Sequence, residues 1–330
     1  MFADMDRQHG AAARRRVTRY EVNMRAGKAF ALLVTTGLVI AAVPAEAVVI
    51  LDSTWAKEGG EPGNEGGGFG AALRLAAEPQ FRAVLALSSD GEAWGEASGT
   101  WLGNRDGHAY ILSAAHIFDF PPTTDQYVVR TPDGDTLGID RVWVLPEWDG
   151  DPNIRAGYDL TILRLEDEID DAGPQPVLYT GAGEAGKLIT FVGYGSRGIG
   201  SSGEKDEYYE GSDKAAAQGV VDSWEELVRP PVDGEEAGNE LGVFLPKEDG
   251  SIDNSLGGSN RPATPLVGLL GSGDSGGSAW MKTKAGWLLV GVNSNGTGEA
   301  TYGETSWFCR VSPHRKWIAS IFPGVRFSPP

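Results

Sequence analysis

Ser275 lies in the run Leu270-Gly-Ser-Gly-Asp-Ser-Gly-Gly-Ser278, between Gly-Asp on one side and Gly-Gly on the other. A serine hydroxyl is a weak nucleophile unless a neighbouring base takes its proton. Glycines on both sides let the backbone turn sharply and bring N–H groups close to a reacting carbonyl. Two apolar segments upstream carry the missing partners. His116 closes Tyr110-Ile-Leu-Ser-Ala-Ala-His116, and Asp159 opens Asp159-Leu-Thr-Ile-Leu-Arg-Leu165. An imidazole with an ordinary pKa near 6.5 can take a proton from Ser275 and return it to a leaving amine near neutrality. An aspartate opening an apolar run is expected to be buried and to need a specific partner, which an imidazole N–H supplies. The chain order His, Asp, Ser is one in which hydrolytic triads occur. Gly273 and Ser275 are expected to offer backbone N–H groups to the oxyanion of an acyl transfer.

Bringing together residues so far apart in the chain requires a scaffold, and the sequence reads as strands. The 330 residues include 47 glycines and 19 prolines among many short apolar runs. One group of runs covers Arg82–Leu87, Trp94–Leu102, His108–Ser113, Gln126–Arg130, Arg141–Leu145 and Asp159–Leu165, with Asp-Gly turns at 90–91, 106–107 and 133–134. A second covers Lys187–Tyr194, Gln218–Ser223, Gly242–Leu245, Ser278–Lys282, Trp287–Ser294 and Thr305–Val311. Short strands with regular turn signals predict all-β barrels or sandwiches. Glu168–Pro176 is the expected seam between two halves. One terminal helix is predicted, with Ser312 as its cap, Pro313 in its first turn and Trp317 with Ile321 as an i, i+4 pair. Outside these strands, the polar segment 195–265 reads as enlarged surface loops.

Ser113-Ala-Ala-His116, Tyr158-Asp-Leu-Thr-Ile-Leu163 and Gly273-Asp-Ser-Gly-Gly277 together resemble the trypsin/chymotrypsin family of serine proteases in a bacterial, disulfide-free form. Trp287–Ser294 resembles the strand that lines that family's substrate cleft, and Phe308–Ile318 its last strand and C-terminal helix. The resemblance runs from about Arg82 to Ile321. It implies two antiparallel six-stranded β-barrels, the first at about 79–175 and the second at about 176–322, with a short C-terminal helix. It also implies a triad of His116, Asp159 and Ser275, acting on protein or peptide substrates without a cofactor or metal. Leu269 stands where trypsin-like members carry an acid, and Ser294, Gly296 and Ser306 fall on the other pocket walls. A pocket without an acid at its base is expected to favour apolar or small residues before the scissile bond, with little activity on Lys or Arg. In activated animal members the acid matching Asp274 pairs with a newly cut N-terminal ammonium. No Ile-Val-Gly-Gly-like start lies between Val48 and Arg82; Val48 after signal cleavage is one option, set against the 34 residues that separate it from Arg82, and the partner of Asp274 stays open here.

The formal charge of −18 excludes nucleic acid and anionic membrane as favoured partners, since both would repel the chain. Met24–Lys28 is a short basic region, Ala29–Val43 an apolar run, and Pro44–Ala47 ends on small residues. This pattern predicts a secretory signal within 1–47, cleaved near Ala47, and a secreted or periplasmic monomer; a retained anchor is the alternative. Residues 48–78, rich in Gly, Glu and Ala, read as a flexible or propeptide-like arm before the protease-like domain at 79–330. Cys309, the single cysteine, excludes an intrachain disulfide and reads as a buried apolar residue. His108 and His314 read as solvated. Gly273–Gly277 also fits the G-x-S-x-G elbow of α/β-hydrolases, but only His314 follows and a strand replaces the required helix. Gly193–Gly198 matches G-x-G-x-x-G without an amphipathic helix behind it. Asp133, Asp135, Asp140, Asp149 and Asp151 sit in turns that lack a full calcium loop. The competing functional class is a catalytically silent binding protein on the same scaffold.

Overall fold

The computed structural model describes residues 48–150, 157–208, 213–224 and 238–329. The expected signal segment and Asp151 lie outside the described residues. The described chain is mostly β. It opens with β1 (Val49–Ile50), α1 (Asp52–Lys57) and α2 (Gly70–Ala76). Six strands follow: β2 (Val84–Ser88), β3 (Ala97–Arg105), β4 (His108–Ser113), β5 (Val128–Arg130), β6 (Thr136–Val144) and β7 (Thr161–Leu165). They close an antiparallel barrel in the order β2-β3-β4-β7-β6-β5.

Side chains alternate faces along a strand, and both faces of the barrel wall are buried. In β4, Ala109 and Ile111 pack with Leu85, Leu87 and Leu163. Tyr110 and Leu112 pack instead with Trp280, Val292 and Phe322 of the second half. Burial on both sides is why these strands read as continuous apolar runs. Trp280 sits at this junction, nearly fully buried, with its ring edge-on to Phe81 at 5.7 Å and its Nε1–H donated to Ser278 Oγ at 2.9 Å. Burying such a ring contributes about 1.5–3 kcal/mol.

The second half contains β8 (Val177–Leu178), β9 (Leu188–Gly193), β10 (Gly198–Ile199), β11 (Gly203–Glu204), β12 (Ala215–Val220), β13 (Ser223–Trp224) and β14 (Glu240–Phe244). It continues through β15 (Gly268–Leu269), β16 (Ser278–Thr283), β17 (Gly286–Gly296), β18 (Thr305–Arg310), α3 (Arg315–Ile321) and β19 (Arg326–Phe327). Its main sheet has nine strands with the path β12-β9-β16-β17-β18-β14-β13, joined by β8 and β19. Among the described residues this ladder is not a closed barrel. Its two edges nonetheless lie on one stretch of chain, since only Val221 and Asp222 separate β12 from β13.

Residues 48–78 differ from the expected arm. Val48–Leu51, Phe69 and Ala72 belong to the same apolar core as Ile189, Val243 and Phe308. β1 is built into a four-stranded sheet, β11-β10-β1-β15. Glycine-rich composition suggested a linker, but the apolar Val-Val-Ile-Leu start anchors the segment. The terminal helix starts later than expected. His314 rather than Ser312 occupies its N-cap position, and Ile318 is its fully buried residue. His314 is itself completely buried, with Nε2 2.7 Å from the Gly157 carbonyl, and His108 is part-buried against the Leu165 carbonyl at 2.7 Å. Both differ from the solvated positions expected, because the helix start and the β3–β4 turn pack against the β7 segment.

Candidate active site

His116 follows β4 and Asp159 precedes β7, and these adjacent strands put the two residues side by side. Asp159 Oδ1 accepts the backbone N–H groups of Ala115 at 2.7 Å and His116 at 2.8 Å. Its Oδ2 accepts His116 Nδ1–H at 2.6 Å and the Ser294 hydroxyl at 2.5 Å. Four donors on one buried carboxylate leave the imidazole a single orientation. On its far side, Nε2 lies 2.8 Å from Ser275 Oγ. The structure therefore brings together the three residues expected from the sequence, across 159 positions of chain.

Burial alone would drive the Asp159 pKa up. The His116 charge and hydrogen bond, then the Ser294 hydroxyl and the His116 N–H, outweigh it and hold the carboxyl below the usual range. For His116, burial pulls the pKa down, but the charge and hydrogen bond of Asp159 win and raise it above its ordinary value. The pair is thus arranged to favour imidazolium beside carboxylate.

The loop carrying Ser275 is shaped by close approaches. Gly273 has φ +89°, and a Cβ there would fall 1.9 Å from the Gly95 carbonyl oxygen. Gly276 has φ +82°, and its Cβ would fall 2.1 Å from Ser113 Oγ. Only glycine fits either position. The barrel holds the loop through the Ser98 N–H, which donates to the Ser275 carbonyl at 2.8 Å, and the Ser98 hydroxyl, which donates to the Gly273 carbonyl at 3.2 Å. Among the described residues, neither the Gly273 nor the Ser275 N–H donates to a protein acceptor. Both remain available to a developing oxyanion.

Asp274 is completely buried beneath this loop. Its carboxylate accepts the N–H groups of Gly195 at 3.0 Å, Gly271 at 2.9 Å and Val48 at 3.1 Å. Burial pushes its pKa up to about 7 despite these bonds, with the nearby Glu204 charge adding to the rise. Val48 reaches Asp274 through its backbone N–H, alongside Gly195 and Gly271.

A cavity of about 200 Å³ opens beside Ser275. Ser294, Gly296 and Ser306 line it as expected. Leu269 does not: it is fully buried in the core, and Leu270 lines the cavity in its place, its N–H donated to Ser306 Oγ at 3.0 Å. β15 includes Leu269 and pairs with β1, which draws that side chain inward. Glu204, from the β10–β11 hairpin, also lines the cavity, although no acid was expected there. No motif marks Glu204, because it lies in the part of 195–265 outside the expected strands.

Cys309 is fully buried, its thiol donated to the Gly157 carbonyl at 3.2 Å and its pKa raised by burial. Among the described residues, no three His, Cys, Asp or Glu side chains gather as a metal site, and no helix is long and apolar enough to cross a membrane. Asp133 and Asp140 face Arg82 and Arg164 instead. No protein-family model matches the chain, and no curated protein matches it.

Proposed function

We propose that this chain is a serine endopeptidase of the trypsin/chymotrypsin type, exported and cleaved near Ala47 to act as a secreted or periplasmic monomer. The observation that carries the reading is the unbroken relay from Asp159 Oδ2 through both imidazole nitrogens to Ser275 Oγ, at 2.6 and 2.8 Å. In this reading Nε2 takes the hydroxyl proton as Oγ attacks the scissile carbonyl. Asp159 fixes the Nδ1–H tautomer and steadies the imidazolium that forms. The Gly273 and Ser275 N–H groups receive the oxyanion. Nε2 then returns its proton to the leaving amine, and water hydrolyses the acyl-enzyme by the same steps in reverse. The second half is read as a second barrel whose closure runs through the bend at Val221–Asp222. Among uncharged side chains, Leu270, Gly296 and Ala300 along the cavity favour cleavage after apolar or small residues.

A fluorophosphonate probe tests the proposal against the silent-binder reading. Wild type is expected to label at Ser275 and to cleave peptide amides, while Ser275→Ala does neither. Equal labelling of wild type and Ser275→Ala, or no labelling of either, overturns it.

A further inference from the structure

Glu204 is the only charged side chain among the described residues that line the cavity beside Ser275. It reaches that wall from a tight hairpin: β11 pairs with β10, and the Glu204 N–H donates to the Glu299 carbonyl at 3.1 Å. Its carboxylate accepts two hydrogen bonds from Ser272, the N–H at 2.6 Å and the hydroxyl at 2.7 Å. A carboxylate has about four acceptor positions, so a substrate side chain entering the cavity can still bond to it. Every other lining group is neutral, so nothing on the wall offsets the negative charge.

We propose that Glu204 is a charge-selecting residue of the substrate cleft, rejecting peptides with an acidic side chain before the scissile bond and favouring cationic ones over neutral isosteres. The inference rests on the protease reading and names its substrate class. An acidic side chain in the cavity loses its water and meets a fixed like charge a few ångströms away. A lysine or arginine presents its apolar stem to Leu270 and Ala300 and its charge to Glu204. The expectation of weak cleavage after Lys or Arg considers only the residue at the Leu269 position. Glu204 reverses it for side chains long enough to reach its wall. A unit charge pair at such range in a partly solvated cleft corresponds to about 10- to 100-fold in rate.

A purely structural role is the alternative, with Glu204 merely holding Ser272, the neighbour of the Gly273 N–H. The test is a series of peptide amides that differ only before the scissile bond, in the pairs Gln/Glu and Lys/norleucine, measured as kcat/KM. Wild type is expected to prefer Gln to Glu and Lys to norleucine. Glu204→Gln keeps an acceptor but no charge, and is expected to shrink both ratios about tenfold or more. Raising salt from 50 to 500 mM should shrink the wild-type ratios but not those of the variant, on the scale set by screening. Ser272→Ala, which loses one clamp but keeps the charge, should lower all substrates together and leave the ratios standing. If Glu204→Gln instead slows every substrate by one common factor, the charge-selecting role is overturned while the protease reading survives. No hydrolysis with no fluorophosphonate labelling overturns both.

Discussion

Cutting the chain between Ala47 and Val48 turns the Val48 N–H into an ammonium 3.1 Å from a buried carboxylate, and this reverses the pH dependence of Asp274. In the uncut chain burial raises the Asp274 pKa from 3.8 to about 7. A carboxylate raised on folding supports the native state while protonated, and that support is lost as pH rises from about 4 to 7. Three pK units correspond to about 4 kcal/mol. Val48 also sits at φ +66°, which a β-branched residue rarely adopts, and freeing its nitrogen releases that constraint. In the cut chain the ammonium lowers the Asp274 pKa, so its contribution is present above about pH 4. It is lost only when the ammonium deprotonates, above its ordinary value of about 8. The assay is thermal unfolding between pH 4 and 8 of a chain beginning at Val48 and of one beginning at Ala47, which keeps an amide at Val48. Other carboxylates cancel in the difference. For roughly 280 residues, about 4 kcal/mol corresponds to about 7 °C. The Ala47 form is expected to fall behind by that amount between pH 4 and 7. Two curves that run parallel across this window would refute the pairing.

The acid limb of kcat/KM should report His116 and lie above pH 6.5, because Asp159 raises the imidazole pKa against the effect of burial. Asp159→Asn should move that limb to lower pH and cut kcat by orders of magnitude, since an amide no longer fixes the Nδ1–H tautomer; an unmoved limb would remove Asp159 from the relay. In the second half, Arg310 donates to Glu184 at 2.7 Å with both side chains fully buried. Arg310→Met takes away the guanidinium facing that carboxylate and should cost about 3–5 kcal/mol by denaturant unfolding, with Arg310→Met/Glu184→Leu recovering most of it. Equal loss in the single and double variants would show that the pair does not act as a unit.

The residues that meet at the site were legible from local sequence because each carries its own signature. Ser275 needs glycines where the chain touches Gly95 and Ser113. Asp159 needs a buried start to an apolar strand, and His116 ends the strand paired with it. Short apolar runs bounded by turn signals likewise marked all six strands of the barrel, since strands buried on both faces read as continuous apolar segments. Leu269 and Leu270 show where this reasoning stops. Adjacent strand residues point to opposite faces, and only the pairing of β15 with β1 decides which one lines the cavity. The burial of His314 against Gly157, the seating of 48–78 in the core and the arrival of Glu204 at the pocket were decided in the same way. Each is a contact between segments tens to hundreds of residues apart, made by elements too short to carry a hydrophobic period. Local sequence sets what a residue can do and which way a strand faces. Which distant loop fills the space beside it is settled only by the packing of the whole chain.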